Sequence, residues 1–166
     1  MTFSRRALLR MGGIIFAGMP FAATAGEPVE ILMKGTANGS KVWFDPIGIR
    51  VVPGTVIRWR NNDPGNSHTA TAFHPRNSGH PLRIPAGARP WNSGYLLPDE
   101  TFSMMFTVAG VYDYFCIPHE MAGMVGRIVV APHSEAVLPV AAEGLMDAFP
   151  SVPNIMRLGR IHKEAQ

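Results

Sequence analysis

Cys116, His119 and Met124 place a thiol, an imidazole and a thioether within nine residues, in the segment Tyr114-Phe115-Cys116-Ile117-Pro118-His119-Glu120-Met121-Ala122-Gly123-Met124-Val125-Gly126. Thiolate and thioether are soft donors, and two imidazoles with one thiolate and a weak Met compose a copper site suited to passing single electrons. Cys116 is the only cysteine of the chain. Alone it could bridge to another chain, sit inert in the core, act as a nucleophile or bind a metal. Its neighbours favour the metal. A Cys-His nucleophile would leave Met124 without a role, and nothing nearby supplies an oxyanion site.

The spacing follows from what such a site needs. Cys116 closes an apolar strand, so the sheet fixes its direction. Ile117-Pro118 turns the chain so that His119 points back, and Gly123 and Gly126 permit a loop tight enough to return Met124. Three donors from one loop then need one more from elsewhere. His68 is the best placed, because it follows the strand at Thr55–Arg60 through the turn of residues 61–67. His74 and His80 fall in a long connection, and His133 and His162 lie beyond the last strand.

The elements that must position these residues are short and extended. Candidate strands are Val29–Met33, Lys41–Phe44, Gly48–Val52, Thr55–Arg60, Thr69–Phe73, Thr101–Val108, Val111–Cys116 and Gly126–Val130. Alternation is clearest where Ile57 and Trp59 oppose Val56, Arg58 and Arg60. It recurs where Tyr112, Tyr114 and Cys116 oppose Val111, Asp113 and Phe115, and where Phe102, Met104, Phe106 and Val108 share a face. Pro53-Gly54, Asp63-Pro64-Gly65 and Ala109-Gly110 punctuate the strands. Short strands with Gly/Pro turns predict an all-β sandwich or barrel. Residues 74–94, broken by His74-Pro75, His80-Pro81, Pro85 and Pro90 and carrying Arg76, Arg83 and Arg89, read as a long irregular connection whose arginines are solvated. Met104 and Met105 read as sandwich packing. The tail shows helix-like spacing over Ala136–Phe149 and Asn154–Glu164, which predicts two short helices. No internal repeat is present.

Residues 1–25 have the layout of an export signal. Arg5, Arg6 and Arg10 occur without an acid, and a short apolar run ends in Ala23-Thr24-Ala25. The string Ser4-Arg5-Arg6-Ala7-Leu8-Leu9-Arg10 is similar to a twin-arginine signal. The apolar run is shorter than the roughly 20 residues of a spanning helix, so cleavage and a periplasmic protein without stable membrane insertion are expected. The formal charge of +3 belongs to the precursor, since all twelve acids and twelve of the fifteen Lys/Arg lie after residue 25. A neutral mature chain gives no argument for a nucleic-acid partner. The expected organisation is a signal at 1–25, a sandwich domain at 26–132 and a C-terminal extension at 133–166.

Tyr112-Asp113-Tyr114-Phe115-Cys116-Ile117-Pro118-His119, followed by Gly123-Met124-Val125-Gly126, resembles the copper loop of the cupredoxins, particularly the plastocyanin and pseudoazurin types. The resemblance extends to Trp43-Phe44-Asp45-Pro46, Pro53-Gly54-Thr55-Val56, Asn61-Asn62 before His68, and Gly94 through Val108. It spans roughly residues 29–131. It implies a Greek-key β-sandwich of seven or eight strands and one copper held by His68, Cys116, His119 and Met124. It also implies a monomeric electron carrier between redox partners such as cytochromes or oxidoreductases, and not an enzyme. A periplasmic copper carrier or store of the same fold is the alternative. Two departures matter. Thr69 follows His68 where the family commonly has Asn, which puts the hydrogen bonding around Cys116 in question. Met121 offers a second thioether, although Gly-Met-Val-Gly favours Met124.

Overall fold

The computed structural model describes residues 26–132 and 148–163. Its strands are β1 (Val29–Gly35), β2 (Val42–Asp45), β3 (Gly48–Val51), β4 (Thr55–Asn61), β5 (Thr71–Ala72), β6 (Thr101–Phe106), β7 (Gly110–Phe115), β8 (Val125–Val130) and β9 (Arg160–Ile161). They form two sheets, one in the order β2-β1-β4-β6 and one in the order β5-β7-β8-β3-β9. The β1–β4 and β3–β8 pairs are parallel and the others antiparallel.

The alternation of the strands builds the core between the sheets. Ile31, Met33, Phe44, Ile57, Trp59 and Phe106 face inward from the first sheet, and Tyr112, Tyr114, Cys116, Ile128 and Val130 from the second. Trp59 lies 5.8 Å from Trp91 and 5.5 Å from Tyr114, ring to ring. Cys116 therefore belongs to the floor of this core, directly after β7. Met104 packs against it, whereas Met105, on the opposite face of β6, is 51% exposed. The expectation that both methionines pack is corrected by the pleat, which turns successive side chains to opposite faces.

The central strands β7 and β8 are buried on both faces. Their outer face carries Val111, Asp113, Phe115, Val125, Arg127 and Val129, covered by the 74–94 connection and by the C-terminal segment. The connection does join the two sheets, but it is anchored. Asp113, fully buried, holds Arg83 at 2.5 Å and Arg127 at 2.7 Å. Both guanidinium groups lie over the Phe149 ring, at 4.8 and 5.1 Å from its centre. Arg83 is thus not solvated as expected. Composition could not reveal this, because its partner sits thirty residues away on β7.

The tail also departs from expectation. One helix, α1 (Val152–Leu158), begins under the Ser151 side chain, which accepts from the Asn154 N–H, and stops at Gly159, whose φ of 76° no helix continues. The chain then extends into β9 beside β3, so the predicted helix over Asn154–Glu164 ends early and a ninth strand is added. Residues 136–147 of the other predicted helix lie outside the described residues.

Asp113 neutralises two buried cations, so Asp113→Asn should leave a buried guanidinium unpaired. We expect a loss of about 3–5 kcal/mol, measured by denaturant unfolding of the metal-free protein. A loss below about 1 kcal/mol would mean that solvent reaches the arginines.

Candidate metal centre

Two loops at one end of the sandwich deliver the candidate donors. The first follows β4. Asn61, buried at its end, donates through its side-chain amide to the carbonyls of Asn66 and Leu96, 2.8 and 2.9 Å away. His68 N–H donates to the Leu96 carbonyl at 3.1 Å, and Leu96 N–H returns a bond to His68 at 2.8 Å. The His68 backbone is thereby held on both sides. The second loop follows β7. Cys116 leads into a 3-10 helix over Ile117–Ala122 that has Pro118 in its first turn, where a missing N–H costs nothing. Gly123, at φ 76°, closes the helix and donates to the Glu120 carbonyl. The chain then returns so that Cys116 N–H donates to the Met124 carbonyl at 3.0 Å and Met124 N–H to that of His119 at 3.1 Å.

Gly126 has a different role from the one the spacing suggests. It lies within β8 opposite Tyr114, and a methyl group there would collide with the Tyr114 ring. It admits that ring to the core rather than bending the loop.

His68, Cys116 and His119 converge, and they are the one such group of potential metal-binding side chains among the described residues. The two Nδ1 atoms are 3.2 Å apart, and Cys116 Sγ lies 3.6 Å from that of His68 and 3.4 Å from that of His119. The centre of a triangle with those sides is about 2 Å from each corner, the length of a bond from a first-row transition metal to nitrogen (about 2.0 Å) and slightly under that of one to sulfur (about 2.3 Å). Met124 is fully buried in the same core cluster as Cys116, whereas Met121 is 99% exposed. His80 and His162 are engaged elsewhere, His80 with Glu120 at 3.0 Å and His162 with Asp45 at 2.6 Å. His133 lies outside the described residues.

The protonation states suit a metal. Burial holds both His68 and His119 below the ordinary imidazole value, so both rings are neutral and offer a lone pair at neutral pH. Burial pushes the Cys116 thiol up to about 11, against the pull of hydrogen bonds from Thr69 and His119. Thr69 settles the question left by the absent Asn. Its N–H donates to Cys116 Sγ at 3.3 Å, and its Oγ1 accepts from Ile117 N–H at 2.9 Å. The threonine hydroxyl ties the two donor loops together.

Two further residues escaped the sequence reading. His80 stacks on Phe115, with ring centres 4.3 Å apart, and its bond to Glu120 pins the residue after His119. It lay in a connection that looked unanchored. Asp63, read only as a turn residue, accepts from His68 Nε2 at 3.1 Å. An acid five residues before a histidine is too common a pattern to have signalled it.

Donor chemistry, geometry and two-sheet frame together fit a mononuclear soft-metal site in a β-sandwich. The family model of copper binding proteins, plastocyanin/azurin family, matches residues 30–131. The chain belongs to that family, and the metal its members bind is copper. A chloroplastic plastocyanin of Tetradesmus obliquus is 30% identical over 127 residues, covering 76% of this chain and 83% of the relative. A pseudoazurin of Methylorubrum extorquens is 28% identical over 127 residues, covering 75% and 76%. A solved pseudoazurin from Methylobacterium extorquens AM1 superposes with a TM-score of 0.46 at 26% identity, over 61% of this chain and 75% of that one.

Metal binding at this site must expel the Cys116 proton. Apparent Cu(II) affinity should therefore rise about tenfold per pH unit from neutrality towards 11, with one proton released per ion, as measured by titration calorimetry in buffers of different ionisation enthalpy. Cys116→Ser should abolish most of that proton release. A pH-independent affinity would mean that the thiol does not bind.

Proposed function

We propose that this chain is an exported one-electron carrier that binds a single copper through His68 Nδ1, Cys116 Sγ and His119 Nδ1, with the Met124 thioether as a weaker fourth donor. The observation that carries the reading is the triangle of two imidazole nitrogens and one thiol, built from two loops that are hydrogen-bonded to each other. Copper bound there supplies a one-electron couple. The burial of Met124 beside a fully exposed Met121 supports Met124 as the fourth donor.

The chain's own residues account for the rest. Four protein donors leave no position open to a substrate, in contrast to a catalytic metal site that keeps a water. This favours an electron carrier over an enzyme. Backbone bonds on both sides of His68, and between the Cys116, His119 and Met124 segments, hold the donors in one arrangement, so little has to move when the charge changes. His68 and Cys116 are fully buried, while His119 is part-exposed at the end of the molecule and forms the route for the electron. Ile117, Pro118, Met121 and Ala122 surround it as an exposed, uncharged rim suited to brief docking with a cytochrome or oxidoreductase. Export to the periplasm by the twin-arginine route rests on the character of residues 1–25. No helix among the described residues is long and apolar enough to cross a membrane.

The copper-loaded protein should be reduced and reoxidised by a soluble cytochrome over many cycles with its copper retained. Loss of the ion to the partner or to a chelator during cycling would favour a copper carrier. Met121→Lys should slow exchange with a basic cytochrome roughly tenfold at low salt and leave the visible spectrum unchanged. A changed spectrum would place Met121 in the site and remove it from the docking rim.

A further inference from the structure

The loop between β4 and His68 contains a carboxylate with more connections than a turn requires. Asp63 is 2% exposed. Its Oδ1 accepts from the Gly65 N–H at 2.9 Å, an ordinary turn contact. Its Oδ2 accepts from the Asn66 side-chain amide at 2.8 Å and from His68 Nε2 at 3.1 Å. Its own N–H donates to the Asn61 side chain at 2.9 Å. The carboxylate also lies against Gly35 at the end of β1, where any Cβ would overlap it.

A turn alone does not explain this placement. Asn or Ser would make the same bond to Gly65 without placing a charge inside the protein. A buried carboxylate needs compensation, yet no Lys or Arg among the described residues pairs with Asp63, and its one ionisable partner is His68. The other nitrogen of that ring, Nδ1, is the one directed at Cys116 and His119.

We propose that Asp63 is a positioning residue for the copper centre: its carboxylate keeps His68 protonated at Nε2 with Nδ1 free, and strengthens Nδ1 as a donor to Cu(II) more than to Cu(I). The inference rests on the electron-carrier reading above. Its physical basis is that a carboxylate hydrogen-bonded to the far side of a ligating imidazole fixes the tautomer, aims the ring and raises its basicity. Negative charge one ring away from the metal also favours the more highly charged ion. Asp63 thereby sets the driving force of electron transfer without touching the metal, and it supplies the negative charge that the cation balances.

The test compares the copper-loaded wild type with Asp63→Asn and Asp63→Ala, by protein voltammetry and by competition titrations for Cu(II) and Cu(I). Both variants should keep the thiolate-to-copper absorption band. Cu(II) affinity should fall about tenfold or more and Cu(I) affinity much less. Each factor of ten in that difference raises the reduction potential by 59 mV for a one-electron couple. Nitrogen-resolved NMR of the Cu(I) wild type supplies a readout independent of the variants' folding. It should show His68 protonated at Nε2, with that proton protected from exchange. An unchanged potential in either variant, an equal loss of both affinities, or a His68 ring protonated at Nδ1 would overturn the role of Asp63. A wild type without a reversible one-electron wave would instead defeat the electron-carrier reading itself, and the role of Asp63 with it.

Discussion

The candidate donors come from two separate loops that meet at one point with no covalent link between them, and the contact that enforces this runs from Thr69 to Cys116 and Ile117. The Thr69 N–H donates to the Cys116 sulfur, and its hydroxyl accepts from the next backbone N–H in the opposite loop. One residue thus fixes the separation of the His68 loop from the Cys116 loop and directs a partial positive charge at the sulfur. A donor N–H stabilises thiolate over thiol. Other hydrogen bonds of this end of the sandwich, from the Asn61 amide to the Leu96 carbonyl and from the Cys116 N–H to the Met124 carbonyl, extend the same frame outward.

That frame is only as rigid as the strands beneath it. β7 and β8 carry the second loop between them, and both are covered on each face. On the inner face the cover is the aromatic cluster around Trp59, Trp91 and Tyr114. On the outer face it is the Arg83–Asp113–Arg127 group with Phe149 across it. Phe115, the residue before Cys116, points outward and is gripped there by Phe73 and His80, at 4.6 and 4.3 Å between ring centres. The donor loop is therefore braced from both sides of the sheet. Such bracing lowers the rearrangement that accompanies a change of charge at the metal, because protein interiors this dense resist small displacements.

Much of this was legible in the sequence, for physical reasons. The first eight strands were legible as extended segments between Gly/Pro turns, three of them by clear alternation, although the one expected over Thr69–Phe73 shortens to Thr71–Ala72. The donor loop was legible by a spacing that few other chemistries need. Local patterns carry both kinds of information. What escaped depends on contacts distant in sequence. β9 is two residues long and exists only because β3 offers an open edge. The burial of Arg83 depends on Asp113, and the part played by His80 depends on Glu120, forty positions away. Thr69 was noticed as a departure, but its compensating hydroxyl bond could be seen only once Ile117 was placed beside it. Gly126 was legible as a required glycine, while the reason, a tyrosine ring on the neighbouring strand, was not.

Binding of one copper by His68, Cys116 and His119, with Cys116 as thiolate, is tested most directly by the visible absorption spectrum of the Cu(II)-loaded protein beside that of Cys116→Ser. An intense blue or green thiolate-to-copper band is expected at one copper per chain, and it should disappear in the variant. A weakly coloured protein whose spectrum is the same in both would contradict it, since copper would then be absent from this site or bound without the sulfur.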